Sequence, residues 1–245
     1  MVNPGGELGT SVNSLTKQYD VIAHNLANIN TAGYKRTVNS FSRELMARLC
    51  EVEDESVPEG QIKINSVLDF SQGSLLKTDR SLDAAINGKG FFVVETPDGP
   101  LYTRNGMFQV NLQGQLVDDE GRIVSGLDGP IIIPSGVRVQ EINIGEDGNI
   151  NTAGGSLGRL KVVDFKEDEA KIFSAGRNCF GAPRGVQPGA AEKVSIRQGY
   201  QENSNVNRME ELVDMITVSR LYEINMKLLV RRRENAKAII GVANS

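Results

Sequence analysis

The chain has 245 residues, a formal net charge of -4 and no Trp, with aromatics at 5%. That length supports one large domain or two smaller ones with a real core. The mildly acidic balance carries no nucleic-acid footprint, and no run approaches the roughly 20 apolar residues of a membrane-spanning helix, so neither nucleic-acid binding nor membrane insertion is expected.

The first ten residues, MVNPGGELGT, lack a basic start and an apolar run, so no cleaved signal peptide is expected. A helix is predicted over residues 7–30. In it Leu15, Tyr19, Ile22, Leu26 and Ile29 follow at spacings of 4, 3, 4 and 3, with polar Thr16, Lys17, Gln18, Asp20, Asn25 and Asn28 between them. That is the narrow seam of a coiled coil. Short isolated helices are marginal in water, so the seam must meet another helix. Asn30, Thr31, Ala32 and Gly33 supply the stop, with Gly33 available for a left-handed conformation. Tyr34, Lys35 and Arg36 then read as an exposed polar corner. Residues 37–50 space Phe41, Leu45, Met46 and Leu49 as a short helix would, and the acidic 51–60 reads as a loop.

From residue 61 strands replace helix. Ile62, Ile64, Val67 and Leu68 begin the change, and turn pairs then recur at Asn87-Gly88, Asp98-Gly99, Asn105-Gly106, Asp128-Gly129 and Asp147-Gly148. Each pair tolerates positive φ and is expected to close a hairpin. Short β-prone runs lie between them at 90–95, 101–104, 107–110, 115–117, 122–124 and 131–133, with later ones at 160–165 and 193–198. Strands and turns alternating every ten residues or so mark an antiparallel sandwich or barrel.

At residues 203–205 the pattern reverts. Ser204, Asn205 or Asn207 can cap a helix. Leu212, Met215, Ser219, Tyr222, Met226 and Leu229 run at 3, 4, 3, 4 and 3, and Val213, Ile216, Val218, Leu221, Ile224 and Leu228 widen the apolar surface. So broad a surface needs more than one neighbour. The predicted fold is α+β: N- and C-terminal helices pairing as a coiled coil, with a central, mainly antiparallel β domain. The expected division is 1–35, 36–203 and 204–245.

Side chains suited to catalysis are sparse. His24 is the only histidine, so a His-based triad or a His-rich metal site is not expected. Cys50 and Cys179 have no local Cys or His companion; a disulfide between them is allowed, and two unpaired thiols are the plainer reading. Asp118-Asp119-Glu120-Gly121 and Glu146-Asp147-Gly148-Asn149 have the look of calcium loops but lack the ligand spread of an EF-hand, and acidic turns are the simpler reading. Arg231, Arg232 and Arg233 beside Glu234 read as a solvated or subunit-bridging face. No catalytic, metal or cofactor residues are assigned, and no enzyme activity is expected.

Several motifs in fixed order carry a resemblance. DVIAHNLANINTAGYKR at 20–36 comes first, followed by DFSQG at 69–73, LDAAI at 82–86, GFF at 90–92, YTRNG at 102–106 and GQLV at 114–117. ENSNV at 202–206 follows, with Met215-Ile216, Arg220, Tyr222-Glu223 and Lys227. Across nearly its whole length the chain resembles the flagellar rod and hook family of axial basal-body proteins. Within it, the runs 157–165 and 222–229 look more like the proximal rod branch, with the distal rod branch as the alternative and a hook-type subunit behind it.

The resemblance implies a structural subunit that polymerises helically, part of the rod that serves as drive shaft. Its partners would be itself, other rod and hook-family axial subunits, and the flagellar type III export apparatus. It would lie in the periplasmic part of a bacterial basal body. The subunit interface would use Leu15, Tyr19, Ile22, Asn25, Leu26, Asn28, Ile29 and Asn30 from the first helix. Met209, Leu212, Met215, Ile216, Tyr222, Met226 and Leu229 would serve from the last. Thr31, Gly33, Tyr34 and Lys35 would form the hinge into the β domain. Two other classes remain: an extracellular β-domain binder with helical anchors, and a hydrolase using paired carboxylates.

Overall fold

The computed structural model describes residues 4–39, 66–191 and 194–243. They fall into two compact units, one drawn from Met1–Ala27, Thr37–Val67 and Asn207–Ser245, the other from Asn28–Arg36 and Leu68–Val206.

The first unit holds helix α1 (Pro4–Ala27), strands β1 (Thr37–Asn39) and β2 (Ser66–Leu68), which pair, and helix α2 (Arg208–Ala243). Of the three candidate caps, Asn207 starts α2. Its Oδ1 accepts the Met209 N–H at 3.1 Å and its Nδ2 donates to Glu210 Oε1 at 3.1 Å, which satisfies a first-turn donor. Glu210 and Glu211 in that turn also suit the positive end of the helix dipole. Leu15, Ile22 and Val218 form the buried cluster of this unit, with Met215 packed against it. The helix expected over 37–50 begins instead as strand β1 at 37–39, and residues 40–50 lie outside the described residues. Ile62 and Ile64 lie outside them too.

The second unit is β-rich and all its pairings are antiparallel. Its central strands are β5 (Phe91–Thr96) and β6 (Gly99–Thr103), within a ten-stranded sheet. The order from one edge is β15 (Phe173–Gly176), β16 (Cys179–Gly181), β6, β5, β9 (Ile123–Gly126), β8 (Leu116–Val117) and β7 (Gln109–Val110), and β14 (Val162–Asp164) also pairs with β5. Because side chains alternate faces along a strand, GFFVVE reads as one apolar run with both faces covered. Phe92 and Val94 enter a cluster with Ile86, Phe108, Leu116, Val124 and Ile150. Phe91 and Val93 enter another with Tyr102, Val163, Phe165 and Phe180. There Phe91 meets Phe70, Phe165 and Phe180 edge to face, at centroid distances of 5.3, 5.8 and 5.7 Å.

Three of the five expected turn pairs close hairpins: Asp98-Gly99 joins β5 to β6, Asp128-Gly129 joins β9 to β10 (Gly129–Pro130), and Asp147-Gly148 joins β11 (Asn143–Ile144) to β12 (Asn149–Thr152). The other two do not. Asn87-Gly88 ends β4 (Ala84–Gly88), which pairs with the distant β18 (Val194–Gln198). Asn105-Gly106 is a close approach: a Cβ on Gly106 would sit 1.7 Å from the Ala84 carbonyl oxygen. Residues 131–133 form no strand among those described; Ile132 makes an isolated bridge to Gln115.

Candidate functional site

Within the first unit, α1 and α2 run antiparallel. Asn25 near the end of α1 donates to Glu211 Oε1 near the start of α2 at 3.3 Å. The Asn25 amide also imitates a strand neighbour: Oδ1 accepts the Thr37 N–H at 2.9 Å and Nδ2 donates to the Thr37 carbonyl at 2.8 Å. Asn25 and Glu211 are each 1% exposed.

The expected interface residues divide in two. Leu15 and Ile22 are buried, Leu26 is half-buried and Tyr19 is exposed. On α2 only Met215 and Leu229 of the expected set are half-buried; Met209, Leu212, Ile216, Tyr222 and Met226 are exposed. Val218, buried between the helices, was read as a flank and is the contact itself.

The segment after α1 belongs to the second unit. Asn28 and Ile29 are half-buried there and Asn30 is exposed. Thr31 closes the turn, its N–H donating to the Asn28 carbonyl at 3.1 Å and its hydroxyl to Asn28 Oδ1 at 3.2 Å. Gly33 follows with φ 70°, and a Cβ there would lie 2.5 Å from the Asn105 backbone nitrogen. The Asn178 side-chain amide donates to the Ala32 carbonyl.

The expected exposed corner is a correction. Tyr34 and Lys35 are 8% and 1% exposed. Lys35 is buried because it has a partner that local spacing cannot reveal. Its Nζ lies 2.7 Å from Glu202 Oε1 and donates to the Ser71 carbonyl at 2.6 Å. Arg104 reaches the other oxygen of the same carboxylate, Nη1 to Oε2 at 3.3 Å, and also donates to the Gly88 carbonyl at 2.9 Å. The Gly73 N–H donates to Glu202 Oε1 at 2.9 Å, and the Glu202 carbonyl accepts the Gly33 N–H at 2.7 Å. Arg104 also lies over the Phe91 ring, 5.2 Å from its centroid. Burial pulls both the Lys35 ammonium and the Arg104 guanidinium below their usual pKa values, against the opposing pull of Glu202. The Glu202 carboxylate thus clamps two cations and one backbone donor, and its main-chain carbonyl holds a second.

Sequence reasoning did not assign Glu202 or Arg104 a role. The available signal was a charged residue inside each ordered motif, YTRNG and ENSNV. Asn205 was read as a cap and does other work: it accepts the Arg36 N–H at 2.7 Å and donates to the Asp69 carbonyl at 2.8 Å.

The two acidic loops hold their own turns. Asp118 Oδ1 accepts the N–H groups of Glu120 and Arg122 at 3.0 and 2.8 Å, and its Oδ2 takes Arg122 Nε at 2.6 Å. Asp147 Oδ1 accepts the Asn149 N–H at 3.1 Å. Among the described residues no group of three or more His, Cys, Asp or Glu is placed to hold a metal ion, and no helix is long and apolar enough to cross a membrane. Cys179 is a buried thiol, its pKa pushed up to about 11, first by burial.

A cluster of buried ion pairs in one unit and a long helix with open apolar surface in the other are the materials of a structural protein. Three family models match: "Flagella basal body rod protein" over residues 12–35, "Flagellar hook protein FlgE/F/G D1 domain" over 85–152, and "Flagellar basal body rod FlgEFG protein C-terminal" over 197–242. The chain is 37% identical to the flagellar basal-body rod protein FlgG of Buchnera aphidicola subsp. Schizaphis graminum, over 85% of this chain and 87% of that one. It is 32% identical to the FlgG of Agrobacterium fabrum, over 94% and 95% of the two chains. To the rod protein FlgF of Caulobacter vibrioides it is 30% identical, over 93% and 92%. The chain belongs to the flagellar basal-body rod protein family.

Proposed function

We propose that this protein is a structural subunit of the bacterial flagellar basal-body rod, joined to other rod and hook-family axial subunits through its terminal helices. The observation that carries this reading is the surface of α2. Met209, Val213, Ile216, Ile224 and Val230 are each 50% exposed or more along one helix. Exposed apolar surface of this extent on one helix marks an association site. In the assembled state α1 and α2 pair as a coiled coil and neighbouring subunits cover the rest. Contacts of this head-to-tail kind do not close on themselves and build a rod. Segments 1–35 and 204–245 are the axial parts, and 36–203 is the outer domain. Export through the flagellar type III apparatus to the periplasmic basal body follows from the same reading.

The test is Leu26→Asp, expressed in a strain lacking the native gene. Rods are expected to be absent from its basal bodies while amide protection of β5 stays that of the native chain. Normal swimming of that strain overturns the reading. The deletion strain itself, scored for the missing rod segment, decides the proximal position favoured by the runs 157–165 and 222–229 against the distal one.

A further inference from the structure

The dipeptide Asn-Gly stands at 87–88 and again at 105–106. Glycine has no Cβ to shield its nitrogen, so in either pair that nitrogen can attack the asparagine Cγ once the chain bends toward it. The fold treats the two pairs differently. Asn105 is 6% exposed and its amide is engaged at both ends: Oδ1 accepts the Met107 N–H at 3.1 Å and Nδ2 donates to Asp119 Oδ2 at 3.1 Å. Gly106 is hemmed in against Ala84, whose N–H donates to the Gly106 carbonyl at 3.0 Å. Asn87, by contrast, is exposed, and with Gly88 it forms the last two ladder pairs of β4 with β18, opposite Ser195 and Val194. Its Nδ2 stands 3.5 Å from Ser195 Oγ, beyond the usual hydrogen-bond range. The Gly88 nitrogen is held by an exposed side chain: Gln72 Oε1 accepts its N–H at 3.1 Å while Gln72 Nε2 donates to the Ile86 carbonyl at 2.8 Å.

We propose that Asn87 is a site of spontaneous deamidation in the folded chain, with Gln72 as its brake, and that Asn105 is protected by its surroundings. The reaction needs only water. The Gly88 nitrogen bonds to Asn87 Cγ, and its proton leaves with the Nδ2 group as ammonia, closing a cyclic imide. Water then opens either imide carbonyl, giving aspartate or isoaspartate; nothing is oxidised or reduced. A paired strand holds the nitrogen away from Cγ, so the rate follows local opening, which is easiest at the end of a ladder. The two products differ in consequence. Aspartate keeps the backbone and adds a charge at an exposed position. Isoaspartate routes the main chain through Cβ and Cγ, one methylene longer, immediately before Gly88. The Gly88 carbonyl accepts Arg104 Nη1 at 2.9 Å, so that product pulls away a ligand of the cation that Glu202 shares with Lys35.

The test ages the full-length chain at mildly alkaline pH, where the attacking nitrogen sheds its proton more readily, and maps the replacement of NH2 by OH by peptide mass spectrometry. In the folded chain Asn87 is expected to react at least about tenfold faster than Asn105, whose two amide hydrogen bonds must break first. In denaturant the two sites are expected to react at similar rates. Gln72→Ala is expected to speed the reaction at Asn87 by about fivefold, the worth of one ordinary hydrogen bond, and to leave Asn105 unchanged. The aged chain, enriched in isoaspartate, is expected to melt earlier than the fresh one. Fresh Asn87→Asp is expected to melt as the native chain does, and aged Asn87→Ser is expected to lose nothing. No reaction at Asn87, or equal rates at the two sites in the folded chain, overturns the assignment. An unequal pair in denaturant overturns protection by the fold, and an unchanged rate in Gln72→Ala overturns the brake. Aged chain that melts as fresh chain does overturns the link to Arg104. Each of these results leaves the rod assignment standing.

Discussion

The Lys35 ammonium lies 2.7 Å from a Glu202 carboxylate oxygen, with both side chains out of contact with water and the two residues 167 positions apart in the chain. Truncating one partner of a buried pair typically costs about 3–5 kcal/mol, because the other charge is left stranded. Lys35→Met is expected at the lower end, near 3 kcal/mol, since Arg104 still reaches Glu202. Glu202→Leu is expected to be worse, because it strands two cations. Amide exchange of β5 in the two variants measures both costs, and equal protection in both contradicts the shared-carboxylate account.

Gly33→Ala tests the turn that delivers Lys35. Gly33 has φ 70°, and the new methyl meets the Asn105 backbone at 2.5 Å. Gly121→Ala is the control, with φ 80° and open space around it. The control is expected to cost roughly 1–2 kcal/mol for the left-handed backbone alone. Gly33→Ala is expected to cost clearly more, and denaturant midpoints of the two variants give the comparison.

Asn25→Ala is expected to destabilise the first unit by about 1–3 kcal/mol, since two Thr37 backbone groups lose their partner. Asn25→Asp is expected to be harsher. It keeps the acceptor for the Thr37 N–H, loses the donor to the Thr37 carbonyl, and sets a second carboxylate beside Glu211. Thermal melts followed by helical circular dichroism rank the two.

The Cys179 thiol gives an alkaline signature. Its ordinary value of 9.0 is raised to about 11 in the folded chain. Above pH 9 the unfolded chain loses this proton while the folded chain retains it, so stability falls as pH rises from about 9 to about 11. The loss attributable to this group is at most about 3 kcal/mol, at about 1.4 kcal/mol per pKa unit. Cys179→Ala is expected to flatten that part of the stability–pH curve, and an unchanged slope contradicts the assignment.

What the sequence made legible was local. Seam spacing located both terminal helices, and Asp-Gly pairs located three hairpins, because a turn needs only its own residues to take positive φ. The run GFFVVE announced the buried central strand. Pairings such as β4 with β18, and β3 (Leu75–Lys77) with β19 (Tyr200–Glu202), join segments more than a hundred residues apart, and no local period encodes them. Lys35 was misread for the same reason: a lysine in a polar run reads as solvated until its carboxylate is known. The two Asn-Gly pairs were misread because glycine serves close approach as well as turning, and a dipeptide does not say which.

The Glu202 clasp has a consequence for timing. Residues 33–35, strand β3 and strand β4 all wait for segments that leave a ribosome, or any narrow channel, near the end of the chain. A polypeptide emerging from its first residue onward cannot seal its β-rich part until more than four-fifths of it has come out. Contacts this distant slow folding. The topology thus carries a delay of its own, keeping the β-rich part open until its last strands are available.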